Sequence, residues 1–364
     1  MSDPNGVQPS RARRSQEVQR RWQIQAIVIG AVVVLVLAWF LTRPGGGGAT
    51  DASPTASTTP SATAVEGPAQ LLALSVTGAP NALLATVGTG GGIASAAAIV
   101  PPNLTLVMPG SGEMTSEQLQ GLPGDSMRVG VSNIDGAWNE TYAVMDLASF
   151  AAAVDRNGGL NVDLQDVYTS GSTVLGPGQT HLTGDQVTSL LRAEADDTAA
   201  RWADVLSAFL AAQPNLQQSD FSDTNDAQAA AEVLASGAAD VQIMPTQVVG
   251  GTALITAQPD LDELMTQLFG IPVPIRAEIR NGNGQPGVGE AVGAQLIPAG
   301  FRIVLSENAD TFDYPTTQVI AAGSENEQAA EQARKALGVG KVIVSQVPSG
   351  LADVTVIVGA DYRP

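Results

Sequence analysis

The chain has 364 residues, with 17 Lys+Arg against 36 Asp+Glu and a formal net charge of -19 at pH 7. A surface this acidic repels phosphate backbones and anionic headgroups, which disfavours nucleic acid as a partner. Cysteine is absent and His181 is the single histidine, so disulfides, thiolate metal sites and two-histidine metal sites are excluded as well.

Ile24–Leu41 is an apolar run interrupted only by Gln25. At about 1.5 Å per helical residue it covers roughly the 30 Å hydrocarbon core of a bilayer. Arg11, Arg13, Arg14, Arg20 and Arg21 precede it, while Arg43 alone follows before Pro44. The positive-inside rule then predicts a cytoplasmic tail over 1–22, a single transmembrane helix over 23–42, and an extracytoplasmic remainder. A cleaved signal peptide is the alternative; against it, no small-x-small site follows the run directly. Beyond Arg43 the chain keeps 11 basic and 34 acidic residues, so the membrane is expected to hold it through this helix alone. Residues 43–68 are rich in Gly, Ala, Ser, Thr and Pro and carry almost no large apolar side chain, which predicts a disordered or extended linker.

From Gln70 onward short apolar runs recur. Leu71–Val76, Ala82–Val87, Ser95–Val100 and Leu104–Met108 predict strands, the third ended by Pro101-Pro102. Thr115-Ser-Glu-Gln118 is a capping-box pattern that opens a short helix. Tyr142–Met145 predicts a strand, Ala148–Val154 a helix ending near Gly158-Gly159, and Leu160–Leu164 a half-exposed strand. Thr183-Gly-Asp-Gln186 is a second capping box, followed by helices over Gln186–Arg192, Thr198–Ala212 and Asn225–Ala235. Val248–Ile255 predicts one strand. Ile271-Pro-Val-Pro274 marks a boundary. After it come strand Ile275–Arg280, a glycine-rich turn, helix Glu290–Ile297, strands Phe301–Leu305 and Thr317–Ala321, helix Glu325–Leu337, and strands Lys341–Ser345 and Val354–Val358. The expectation is an α/β protein with a mixed-sheet domain over 69–271 and a small α/β domain, able to stand alone, over 272–364.

Several of these stretches resemble a known family. Tyr142–Asp155 followed by Gly158-Gly159-Leu160, and Gly178–Val187, are similar to motifs of the LytR-CpsA-Psr (LCP) domain. Ile279-Arg-Asn-Gly-Asn-Gly284, Gly287–Ala291, Ala299-Gly-Phe301, Tyr314–Val319 and Val356–Asp361 are similar to the LytR C-terminal domain. The resemblance implies a mixed-sheet α/β LCP-like domain, a membrane-anchored cell-envelope protein, and a lineage of phosphotransferases. Those enzymes move glycopolymers from polyprenyl-pyrophosphate carriers to peptidoglycan, using arginines, aspartates and a divalent metal. This chain departs from the pattern. Gly110-Ser111 stand where the family has Arg-Asp after a strand and a proline, and Gly90–Ser95 replaces an expected Arg-x-Asp. Arg192 and Arg201 align with family arginines, whereas Glu194 and Thr198 occupy the places of two others.

The expected phosphate-binding residues are therefore Arg192 and Arg201. The plainer reading makes them solvated or paired with Asp196, Asp197 or Asp204. No catalytic residue, metal ligand or cofactor is expected, magnesium entering only if transfer survives. Asp196-Asp197 reads as a solvated helical face, and His181 as a loop residue rather than a base. Gly282-Asn-Gly284-Gln-Pro-Gly287 fits G-x-G-x-x-G, but the domain is too short for a dinucleotide fold and Pro286 removes a donor, so it reads as a tight turn. Phe269, Phe301 and Phe312 are expected in the core. The sequence favours a non-catalytic pseudoenzyme that binds wall polymer, a lipid-linked glycopolymer or an envelope partner. An active phosphotransferase is the alternative, and a transcription regulator a weaker third.

Overall fold

The computed structural model describes residues 70–364 apart from 80–81, 91–92, 165–166, 171–172, 194–197, 252 and 347–349. The predicted tail, membrane helix and linker lie outside the described residues, as does Asp196-Asp197. Among the described residues no helix is long and apolar enough to cross a membrane.

The first domain opens with strands β1 (Gln70–Thr77), β2 (Leu83–Gly90) and β3 (Ile93–Ile99), then the hairpin β4 (Thr105–Met108) and β5 (Gly112–Thr115). Helices α1 (Ser116–Gln120) and α2 (Gly124–Asp135) follow, then β6 (Thr141–Asp146), α3 (Leu147–Arg156), β7 (Leu160–Leu164), β8 (Tyr168–Ser170), β9 (Thr173–Leu175) and β10 (Gly178–Leu182). The domain closes with α4 (Gly184–Arg192), α5 (Thr198–Ala211), β11 (Asp223–Thr224), α6 (Ala227–Leu234), β12 (Asp240–Ile243), β13 (Thr246–Val249), β14 (Ala253–Thr256) and α7 (Gln258–Phe269). Its main sheet has the order β11-β6-β1-β2-β3-β12 and mixes parallel and antiparallel pairs. Both capping boxes form, Thr115 with Gln118 and Thr183 with Gln186. The predicted strand Val248–Ile255 is instead the hairpin β13–β14. Gly250 and Gly251, both at positive φ, reverse the chain in the middle of the apolar run.

The second domain consists of β15 (Ile275–Asn281), α8 (Val288–Leu296), β16 (Phe301–Asn308), β17 (Gln318–Ala322), α9 (Glu327–Leu337), β18 (Lys341–Ser345) and β19 (Val354–Val358). The sheet order is β16-β15-β19-β17-β18, with β15, β16 and β19 parallel to one another.

Alternation along β1 sends Leu72, Leu74 and Val76 to one face, where Phe150, Trp202 and Phe209 of α3 and α5 fill the space. Leu71 and Ala73 face the other way, toward α2 and α7. A Cβ on Gly88 would lie 2.5 Å from the Phe269 ring, so glycine there lets α7 settle onto the sheet. This second cluster does not stop at the boundary prolines. It runs on through Ile279, Val288, Val292, Phe301 and Ile303 of the second domain. The predicted free-standing C-terminal domain thus shares its core with the first, and both fall within one unit, 62–364.

Candidate functional site

The turn between β4 and β5 holds the departure from the family pattern, Met108-Pro109-Gly110-Ser111. The Ser111 amide donates to Met108 O at 3.0 Å, closing the turn, and Gly110 sits at φ +83°. Its tip rests on the first turns of α8, where Gly289 and Gly293 make a groove of small residues four apart. Cβ atoms there would meet Gly110 Cα and the Pro109 ring at 2.6 Å. The Gly110 amide donates to Ser306 Oγ at 2.7 Å, and a Cβ on Gly110 would stand 2.6 Å from the Glu290 amide nitrogen. Sterics and backbone conformation together bar an arginine from position 110 while the second domain is docked.

Two buried side chains hold that docking. The Asn133 amide on α2 donates to Val107 O and to Ile303 O, both at 2.9 Å, and accepts from the Ile303 amide at 2.6 Å. It gives the edge strand β16 the donor and acceptor that a neighbouring strand would otherwise supply. Arg302, on the same strand, pairs with Asp262 of α7, donates to Gln258 Oε1, and reaches the Asn133 and Ile134 carbonyls near the end of α2. A cation at that helix terminus satisfies its last carbonyls and its dipole. Ser126 Oγ donates to Glu290 Oε1 at 2.7 Å as a third link.

Beside these lies Asp135, fully buried. Its Oδ2 accepts from Thr86 Oγ1 and Asn139 Nδ2, each at 2.7 Å, while Oδ1 has no hydrogen-bond partner among the described residues. Burial pushes this carboxyl up to about 7, against the opposing pull of the Thr86 and Asn139 hydrogen bonds and the Arg302 charge.

Arg192 and Arg201 fall near each other in the chain but in different settings. Arg192 is exposed in the last turn of α4. Arg201 is buried on α5 rather than solvated, one of the two settings the plainer reading offered. Its Nη1 donates to Leu190 O and Ala193 O at the end of α4, and its guanidinium lies 4.6 Å over the Tyr168 ring. The two motif stretches behind the LCP resemblance touch one another, because the Gly184 amide donates to Asp155 Oδ1 at 2.7 Å. They join α3 to α4. His181 lies on strand β10 rather than in a loop, with Nδ1 2.9 Å from Asn161 Oδ1. Phe312, expected in the core, is 54% exposed, whereas Phe269 and Phe301 are buried.

Two clefts open along the seam. One, of about 350 Å³ and mostly apolar, lies between Val107, Ile134, Ile255 and Ile303. The other, of about 400 Å³ and mostly polar, lies where Gly110 and Ser111 meet the carboxyl ends of β15 and β16. Among the described residues no group of three or more His, Asp or Glu side chains could hold a metal ion. At the turn where the family pattern would place an aspartate stands the Ser111 hydroxyl, and among the described residues of the cleft beside it Glu307 is the one carboxylate, so the residues there do not fit a divalent metal.

Asn133, Arg302 and Asp135 were not singled out by sequence. The signal for α2 and α7 was present in the helical spacing of Met127, Val131 and Ile134 and of Leu261, Met265 and Leu268.

Residues 274–362 match the family described as LytR cell envelope-related transcriptional attenuator, its C-terminal domain. A comparison with curated proteins found no match. Among solved structures, the chain is similar to a transcriptional regulator from Enterococcus faecalis at 12% identity and a TM-score of 0.46, covering 56% of this chain and 89% of that one. It is similar to Bacillus subtilis TagV at 13% identity and 0.46, covering 56% and 98%. It is also similar to a LytR-CPS2A-psr family protein, TagT, with bound octaprenyl pyrophosphate lipid, at 15% identity and 0.43, covering 56% and 90%.

Proposed function

We propose that this chain, whose residues 274–362 carry the LytR C-terminal domain, is a membrane-anchored extracytoplasmic envelope protein that binds wall polymer or a lipid-linked glycopolymer without transferring it. The observation that carries the non-catalytic part is the turn at Gly110-Ser111. Family chemistry needs a forked guanidinium and a carboxylate there to manage charge on phosphoryl oxygens. Here the place is taken by a positive-φ glycine and a serine, packed against Gly289 and hydrogen-bonded to Ser306. Among the two remaining family arginines, Arg201 is engaged with the end of α4 and a tyrosine ring, which leaves Arg192 as the exposed cation.

The anchor and the orientation rest on the apolar run Ile24–Leu41 and its arginine asymmetry. The test supplies the full-length protein in detergent with a lipid-linked glycopolymer, an acceptor peptidoglycan and magnesium. Retention of the polymer with no product is the expected result. Turnover that disappears in Arg192→Ala would establish a transferase with relocated residues and overturn this reading.

A further inference from the structure

We propose that the polar cleft at the seam is a binding site for a neutral, hydroxyl-rich glycan chain. The inference rests on the polymer-binding reading above and gives it a place and a ligand class. The cleft measures about 400 Å³, within the roughly 300–1,000 Å³ of small-molecule sites. Hydroxyl, amide and carboxylate groups converge in it from two domains: Ser111 from the β4–β5 turn, and Glu307 and Asn308 from the end of β16. All three of these residues are exposed. Such a set offers both donors and acceptors, as sugar hydroxyls require, beside a smaller apolar wall of Ile279, Pro286 and Val288.

Charge narrows the class. Glu307 lines the cleft with the Arg280 guanidinium 3.6 Å away, and the chain as a whole carries -19, so a phosphate-rich polymer would meet net like charge on approach to the protein. A carboxylate accepts hydrogen bonds from neutral hydroxyls without that cost. A neighbouring loop, outside the lining of the cleft itself, adds a face for stacking. Phe312 is 54% exposed, and the loop that bears it is tied to the Asn281–Gly284 turn beside the cleft. Tyr314 N donates to Gly282 O and Ala309 N to Asn281 O, and a Cβ on Gly284 would lie 3.3 Å from Phe312 Cβ. A large exposed ring near a polar cleft is an apolar surface on which the apolar face of a sugar ring stacks.

The probe is a soluble β-1,4-linked N-acetylglucosamine hexamer, titrated calorimetrically into the full-length protein in detergent. Poly(glycerol phosphate) serves as the anionic comparison. The hexamer is expected to bind with little dependence on salt. Phe312→Ala and Glu307→Gln should each weaken it at least about tenfold, with circular dichroism unchanged. Binding of the hexamer with equal affinity by both variants would overturn the site and leave the polymer-binding reading intact. Salt-sensitive binding of poly(glycerol phosphate) alone would overturn the ligand class. Failure to bind either probe, or intact wall polymer, would overturn both readings.

Discussion

Replacing Asn133 by alanine removes one side-chain amide and strips partners from two buried backbone groups, Ile303 O and Ile303 N–H, and from the half-buried Val107 O of the other domain. Asn133 is 4% exposed and Ile303 1%, so the two Ile303 groups are shielded from water in the folded protein. A neutral hydrogen bond contributes about 1 kcal/mol net, while each buried group left without a partner costs about 1–3 kcal/mol. With two buried groups left unpaired, the expected loss is about 2–6 kcal/mol, a large part of the roughly 5–15 kcal/mol that separates folded from unfolded domains. Asn133→Asp should do no better. It keeps the acceptor for the Ile303 amide but sets a carboxylate oxygen against two carbonyls in a buried place. Urea unfolding of the full-length protein, followed by tryptophan fluorescence and circular dichroism, reads the effect. Hydrogen exchange on β16 should rise in the variant before exchange on β1 does, because the edge of β16 has lost its cover. A loss below about 1 kcal/mol, with β16 protected as in the wild type, would refute the claim that this amide completes the edge strand.

Asp135→Asn tests the buried carboxyl. Its folded value of about 7 lies above its ordinary 3.8, so its contribution is fully present below pH 3.8 and is lost as pH rises through 7. Asparagine imitates the protonated acid, and the variant should be more stable at pH 8 by an amount on the order of 4 kcal/mol, with a flatter profile from pH 4 to 7 in urea midpoints. Gly110→Ala should destabilise by more than about 1 kcal/mol in thermal melts, because a positive φ and the Glu290 amide both oppose a Cβ. Gly110→Arg should loosen the second domain without creating transfer activity, measured by limited proteolysis and a polymer-transfer assay. Arg201→Ala should lower the melting temperature by uncapping α4, whereas Arg192→Ala should leave the unfolding free energy within about 0.5 kcal/mol of wild type.

Local chemistry made most of this fold legible. The capping boxes at Thr115 and Thr183 and the strands over Leu71–Val76 and Leu160–Leu164 appear where their patterns placed them. The second domain follows its order of strands and helices closely, and its motifs agree with the family match at 274–362. What local pattern did not convey is partnership across the seam. Asn133 sits in a helix beside Ser132 and Ile134 and carries no mark of a strand-like role. Arg302 lies between Phe301 and Ile303 as one polar position in an apolar strand, and nothing local tells an outward charge from one buried against another domain. Gly110-Ser111 was legible as a departure from a pattern. That α8 fills the space was not, since Gly289 and Gly293 acquire meaning only when Pro109 is laid across them. Phe312 was misplaced for a similar reason, as aromatic residues are buried by default and exposure depends on the loop that carries them.

The joint at Ile271–Pro274 is therefore a weak point of the chain but not of the molecule. Val273 is 69% exposed there, an open peptide segment between two domains that share one core. A protease that cut at this place would sever the covalent link and shed nothing. The two pieces would travel together on a native column and part only in denaturant. Inheritance of the second domain without the first would expose β16, Ile303 and the groove of α8 at once, so the two halves gain or lose solubility as a pair.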